Sequence, residues 1–146
     1  MTDYNFITDR LATGAHPGDA DGVKQLLAVG VTHILNCWGE VDESPLMAGL
    51  PVTYLWCPTL DDGAPKGPEW FGPGLAFALP ALAQPGAKLY SHCAAGINRG
   101  PSMAFAIMFA LGWNAVDAEA MIRKVRPQVG LAYKNDAIRV VPTLRY

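Results

Sequence analysis

The sequence predicts an α/β fold: a single domain over residues 1–146, built on a central, mainly parallel, twisted sheet of about four to five strands flanked by helices. Three observations predict it. Strand-like and helix-like runs alternate along the chain, a pattern that calls for a parallel sheet covered on both faces. Apolar residues make up 51% and charged residues 16% of the 146, enough to close one core. Residues 87–111 read as a strand, a short glycine-containing loop and an apolar helix, and in such sheets binding sites lie beyond the carboxyl ends of the strands.

The elements follow in order. Ile7 to Thr13 reads as a first short strand closed by Gly14. Asp19 and Asp21 precede a short amphipathic helix, Val23 to Ala28, ended by Gly30. Val31 to Cys37 is a β-branched, mostly apolar strand, and Val52 to Trp56 is the next, with Pro58 ending it. Residues 61–68, rich in Gly, Pro and Asp, form a loop. A helix is expected from about Pro68 to Ala83, with an irregular start at Pro73 and Gly74. Leu89-Tyr90-Ser91 is a strand, and in the helix after it Met103, Phe105, Ile107, Met108, Phe109 and Leu111 are core. Asn114 with Asp117 reads as a capping box for a helix through Val125, stopped by Pro127. A last helix runs from about Tyr133 to Val141.

Composition narrows the function classes. A net charge of −2 argues against a broad nucleic-acid surface. The N-terminus has no basic start and no apolar core, and the longest apolar run is too short to span a bilayer. A soluble, cytoplasmic protein without membrane contact is expected. Cys37, Cys57 and Cys93 are too few and too uneven for a disulfide framework, and His16, His33 and His92 do not pair with them at zinc spacing. No metal and no cofactor are expected; the oligomeric state stays open.

The most informative segment is His92-Cys93-Ala94-Ala95-Gly96-Ile97-Asn98-Arg99. A strand, a tight loop and a helix N-terminus make an anion cradle, with N–H groups pointing inward and the helix dipole adding positive charge. Cys93 at its floor is the candidate nucleophile, because a helix N-terminus and a nearby guanidinium favour the thiolate. Arg99 offers a two-pronged donor for two phosphate oxygens and for transition-state charge. His92 is expected to orient the loop. Asp61 and Asp62, in the polar loop after a strand, are candidates for the acid that protonates a leaving oxygen.

These residues resemble the cysteine-dependent protein tyrosine phosphatases, and specifically their small dual-specificity branch. The family signature is His-Cys, five residues, then Arg, usually followed by Ser or Thr. Residues 7–14, the strand Gly30 to Asn36, and Tyr54-Leu55-Trp56-Cys57-Pro58-Thr59-Leu60-Asp61 are similar to family segments in the same order, as are Glu119-Ala120, Val125 and Arg126-Pro127. The family places its acid seven residues after the tyrosine, which favours Asp61 over Asp62. The resemblance implies a metal-free phosphatase acting on phosphotyrosine, and on phosphoserine or phosphothreonine, in a protein or peptide. Cys93 would form a phosphocysteine, residues Ala94 to Arg99 would hold the phosphoryl group, and Asp61 would serve as acid and then base.

Gly100 departs from the pattern, standing where the family hydroxyl stabilises the departing thiolate. Ser102 lies about 200° further round a helix and is a poor substitute. Hydrolysis of the phosphocysteine is therefore expected to be slower by roughly tenfold, about 1 kcal/mol, and Gly100→Ser to speed it.

Ile97 and Asn98 flank the entrance with neutral side chains, and the loop has no lysine, which argues against a phosphoinositide substrate. Trp38, Glu40 and Trp70 are candidate rim residues. Two alternatives stand beside the enzyme reading: a catalytically weak phosphoprotein-binding relative, which Gly100 keeps open, and an RNA 5′-phosphatase, which would need a basic approach.

Overall fold

The structure, a computed structural model, describes residues 1–145. Its framework is a five-stranded sheet of order β1-β2-β5-β3-β4, with β1 Tyr4–Thr8, β2 Leu11–Gly14, β3 His33–Trp38, β4 Thr53–Thr59 and β5 Leu89–His92. Strands β2, β5, β3 and β4 run parallel, and only the edge strand β1 is antiparallel. The expected mainly parallel α/β sheet is therefore present, with β5 at its centre.

Two strand boundaries differ from expectation. Residues 4–14 form a hairpin instead of one strand, because Asp9 and Arg10 turn the chain between Thr8 and Leu11. Arg10 fastens that turn by donating from Nε to the Ala87 carbonyl at 2.8 Å. Pro58 does not end its strand but lies inside β4. An edge strand tolerates proline at an irregularity, and the pairing of β3 with β4 slips between Asn36 opposite Trp56 and Trp38 opposite Thr59.

Five helices cover the sheet: α1 Ala20–Ala28, α2 Pro68–Ala83, α3 Arg99–Ala110, α4 Ala115–Val125 and α5 Lys134–Val140. Asp19 caps α1 by accepting from the Gly22 amide at 2.8 Å, and Asn114 caps α4 by accepting from the Asp117 amide at 2.8 Å. Side chains alternate across the sheet. Ile34 and Tyr90 join Val23 and Leu26 of α1 on one face, whereas Leu35 and Leu89 join Phe71, Leu75, Phe105 and Ile107 on the other. Helix α3 is buried from Arg99 through Met108, which explains its nearly continuous apolar sequence.

Two core and rim assignments are corrected. Leu111 follows the end of α3, where the chain emerges, and is 54% exposed. Trp70 is not at a rim: it is 2% exposed, donates from Nε1 to the Cys57 carbonyl at 3.1 Å and packs on Phe71. Its turn of α2 faces the sheet, so the indole fills the core. Among the described residues, no helix is long and apolar enough to cross a membrane.

Candidate active site

Residues 93–98 connect the end of the central strand β5 to the start of α3. Four successive carbonyls of this loop turn outward to donors on neighbouring segments. Ala94 accepts from the His16 amide at 3.1 Å, and Ala95 and Gly96 accept from Arg126 at 3.1 and 2.8 Å. Ile97 accepts from the Gly130 amide at 2.9 Å. In a peptide plane the C=O and N–H point in opposite directions, so the amides of residues 95–98 face the other way, into the loop. Gly96 permits the turn. Its φ is +70°, and a Cβ there would meet Gly14 and the Arg126 guanidinium at 2.3 and 2.6 Å.

Arg126 is the brace behind the loop. It is fully buried, and its guanidinium also binds both oxygens of Asp3, each at 2.9 Å, and Asn5 Oδ1 at 2.9 Å. The hydrogen bond to Arg126 is the main reason that the Asp3 carboxyl is held below its ordinary pKa. Sequence reasoning treated Arg126 as part of a helix end. An arginine one residue before the proline that stops α4 was the available signal.

Cys93 lies at the loop's floor, 3% exposed. His92 beside it is wholly buried, with Nδ1 3.1 Å from the Cys93 carbonyl. A carbonyl only accepts, so Nδ1 carries the proton. Nε2 lies 2.8 Å from Oε1 of the buried Glu43, although the two are not aligned as a hydrogen bond and neither has another partner among the described residues. Glu43 was not anticipated from sequence.

Arg99 is 4% exposed. Its Nη1 donates to Glu40 Oε1 at 2.5 Å and to the Thr59 carbonyl at 2.9 Å. Its Nε is buried without a partner among the described residues. A buried, unpartnered guanidinium N–H is costly unless an anion completes it. Glu40 thus binds Arg99 through Nη1, away from the unpartnered Nε. Trp38 is half-buried, with its ring stacked 4.5 Å from His16.

The two acid candidates separate clearly. Asp61 faces the Cys loop: Oδ2 accepts from Asn98 Nδ2 at 3.3 Å, and Oδ1 accepts from the Tyr133 hydroxyl at 2.8 Å. Asp62 turns back into its own loop, accepting from Lys66 Nζ at 2.9 Å and the Ala64 amide at 3.0 Å. The Lys66 bond is the largest cause holding the Asp62 carboxyl below its ordinary pKa. Tyr133 was expected only as a helix start. Nothing in a linear reading marks a tyrosine 72 positions away as the partner of Asp61.

The result is a loop whose amides at 95–98 turn inward, with Cys93 at its start, the unpartnered Arg99 Nε at its end and the Asp61 carboxylate bound to its Asn98 side chain. Among the described residues, no group of three or more His, Cys, Asp or Glu side chains could hold a metal ion.

No protein-family model matches the chain. It is similar to dual specificity protein phosphatase 26 of Rattus norvegicus, 30% identical over 139 residues, which cover 90% of this chain and 64% of that protein. The Homo sapiens protein of the same name is 28% identical over 138 residues, with the same coverage of 90% and 64%. The chain therefore spans 64% of the length of the curated relatives it matches. Among solved structures, PTPMT1 in complex with PI(5)P superposes with a TM-score of 0.78 at 21% identity, covering 96% of this chain and 97% of that one. The human tyrosine phosphatase-like serine/threonine/tyrosine-interacting protein gives 0.77 at 20% identity, covering 95% of each. At these identities the structural likeness establishes the fold.

Proposed function

We propose that the chain is a member of the small dual-specificity branch of the cysteine-dependent protein tyrosine phosphatases and that it hydrolyses phosphotyrosine, and phosphoserine or phosphothreonine, in proteins or peptides. The observation that carries the reading is the buried, unpartnered Nε of Arg99, beside an inward-facing amide ring with Cys93 at its floor.

In this reading Cys93 attacks phosphorus in line. The S–P bond forms as the P–O ester bond breaks, and the leaving oxygen takes its electron pair and a proton from Asp61. The amides of residues 94–99 and the Arg99 Nε edge hold the three equatorial oxygens, where the transition-state charge spreads. Water then attacks the phosphocysteine, Asp61 takes its proton, and inorganic phosphate leaves as the Cys93 thiolate is restored. His92 and Glu43 support the loop from behind. A cytoplasmic setting suits this chemistry, because the three free thiols stay reduced there.

The surroundings favour a peptide over a polyanion. In the loops around the Cys loop, residues 15–21, 39–43, 60–67 and 126–133, the only lysine and arginine residues are Lys66, 6% exposed, and Arg126, fully buried. An RNA 5′-end or a phosphoinositide would find no exposed lysine or arginine in them. The binding-module reading rests on Gly100 alone.

A phosphopeptide panel with wild type, Cys93→Ser and Asp61→Asn tests the proposal. Cys93→Ser should abolish phosphate release, and Asp61→Asn should slow it by roughly 10²- to 10⁴-fold. A wild type that binds the peptides without releasing phosphate would replace the enzyme with the binding module.

A further inference from the structure

We propose that Tyr133 and Asn98 are positioning residues that fix the Asp61 carboxyl so that Oδ2, and not Oδ1, gives and takes the proton; this rests on the phosphatase reading above. The inference follows from which atoms can donate. The Tyr133 oxygen accepts from the Gly63 amide at 3.1 Å and contacts Asp61 Oδ1 at 2.8 Å. An amide N–H only donates, so the single hydroxyl proton of Tyr133 goes to Oδ1. In a neutral carboxylic acid the hydroxyl oxygen accepts more weakly than the carbonyl oxygen, so protonated Asp61 keeps Oδ1 as the carbonyl for the shorter Tyr133 bond at 2.8 Å and carries its proton on Oδ2, whose contact with Asn98 Nδ2 is longer at 3.3 Å.

Tyr133 is built to stay a donor. It is 1% exposed, and burial is the first cause that raises its phenol pKa above the ordinary value. Its backbone amide donates to Ser102 Oγ at 3.1 Å, and its ring lies edge-on to Trp70 at 6.1 Å with Lys66 Nζ 4.8 Å from the ring centre. Ser102, buried within α3, thus anchors the Tyr133 backbone.

Asn98 fixes the other oxygen. Its Oδ1 accepts from the Ala132 amide at 3.2 Å, which assigns Nδ2 as the end that meets Asp61. Gly130 leaves room for that arrangement, since a Cβ there would stand 2.3 Å from Asn98 Oδ1. Asn98 immediately precedes Arg99, so Oδ2 is tethered to the loop that receives the phosphoryl group. In the first step the Oδ2 proton passes to the leaving oxygen as the P–O bond breaks. In the second, Oδ2 takes a proton from the attacking water.

The test measures kcat/KM, which is insensitive to the later release step, on phenyl phosphate and on 2,4-dinitrophenyl phosphate, whose leaving group scarcely needs a proton. Tyr133→Phe keeps the ring and removes only the hydroxyl. Its loss on phenyl phosphate should exceed its loss on the dinitrophenyl ester by roughly fivefold or more, with Asp61→Asn showing the same pattern more strongly. Asn98→Ala should follow with a smaller difference. In the Asp61→Asn background, Tyr133→Phe should add nothing to that difference. Equal losses on both esters, or none, would make Tyr133 a purely structural residue and overturn the inference while leaving the phosphatase reading intact. A wild type inactive on both esters would remove that reading, and this inference with it.

Discussion

Gly100 packs on His92 so closely that a Cβ at Gly100 would stand 2.7 Å from both the Cα and the carbonyl carbon of His92, and 2.9 Å from the Cys93 amide nitrogen. The first turn of α3 thus presses directly on the end of β5, and Ser91 Oγ fastens the contact by donating to the Gly100 carbonyl at 2.9 Å. The position where the resemblance implies a hydroxyl has no room for a side chain. Gly100→Ser must push apart backbone on both sides, so it should cost about 1–3 kcal/mol and lower Tm. The expectation that this exchange would simply speed phosphocysteine hydrolysis is revised accordingly. A variant that melts with the wild type would show that the contact yields easily.

Asp61 and Asp62 should differ sharply in effect. Asp62 is bound to Lys66 and to its own loop, and an asparagine there keeps an oxygen that can accept from both donors, so Asp62→Asn should leave turnover within about twofold. Asp61→Asn should reduce kcat by roughly 10²-fold or more on a phosphopeptide. Steady-state kinetics of the two variants distinguishes them, and the reverse order would move the acid by one residue.

The Asp3–Arg126 pair should make stability depend on acid pH. The folded carboxyl is held below its ordinary value, so its contribution is fully present above the unfolded value of about 4 and is lost as pH falls through the lower folded value. Asp3→Asn should therefore melt below the wild type at neutral pH, with the gap closing as pH drops below about 4. Melting curves across that range check the sign. A gap that widens in acid would contradict it.

The thiols should react selectively. Burial pushes the Cys57 thiol up to about 11 and the Cys37 thiol well above its ordinary value, so both are neutral at pH 7. Iodoacetamide at neutral pH should label Cys93 alone, as read by peptide mass spectrometry. Inorganic phosphate should slow that labelling by filling the loop.

The central strand, its loop and the helices were legible in the chain because each carries its own periodicity and because His92 to Arg99 are contiguous. Helix α2 begins and ends at the residues predicted, Pro68 and Ala83. The hairpin at residues 4–14 and the continuation of β4 through Pro58 were not, since a tight turn and an edge-strand irregularity leave little mark on hydrophobic alternation. The choice of Asp61 over Asp62 rests in the sequence on its distance from Tyr54, and in the structure Asp61 is the one that contacts the Cys loop, through Asn98. Arg126, Glu43 and Tyr133 were missed because their roles lie in contacts between distant segments, such as the 2.8 Å bond from Arg126 to the Gly96 carbonyl 30 positions away. Trp70 was misplaced for the same reason: its proximity to the acid loop in sequence says nothing about which face of α2 it occupies.

Rapid-quench kinetics tests the central claim, that Cys93 carries the phosphoryl group and that its hydrolysis limits turnover in a loop closed around Gly100. With an aryl phosphate in excess, the account predicts a burst of about one equivalent of aryl alcohol per enzyme, a slower steady state, and a phosphorylated peptide containing Cys93 in the quenched protein. Product formation that is linear from the first turnover, or a burst that survives Cys93→Ser, would contradict it.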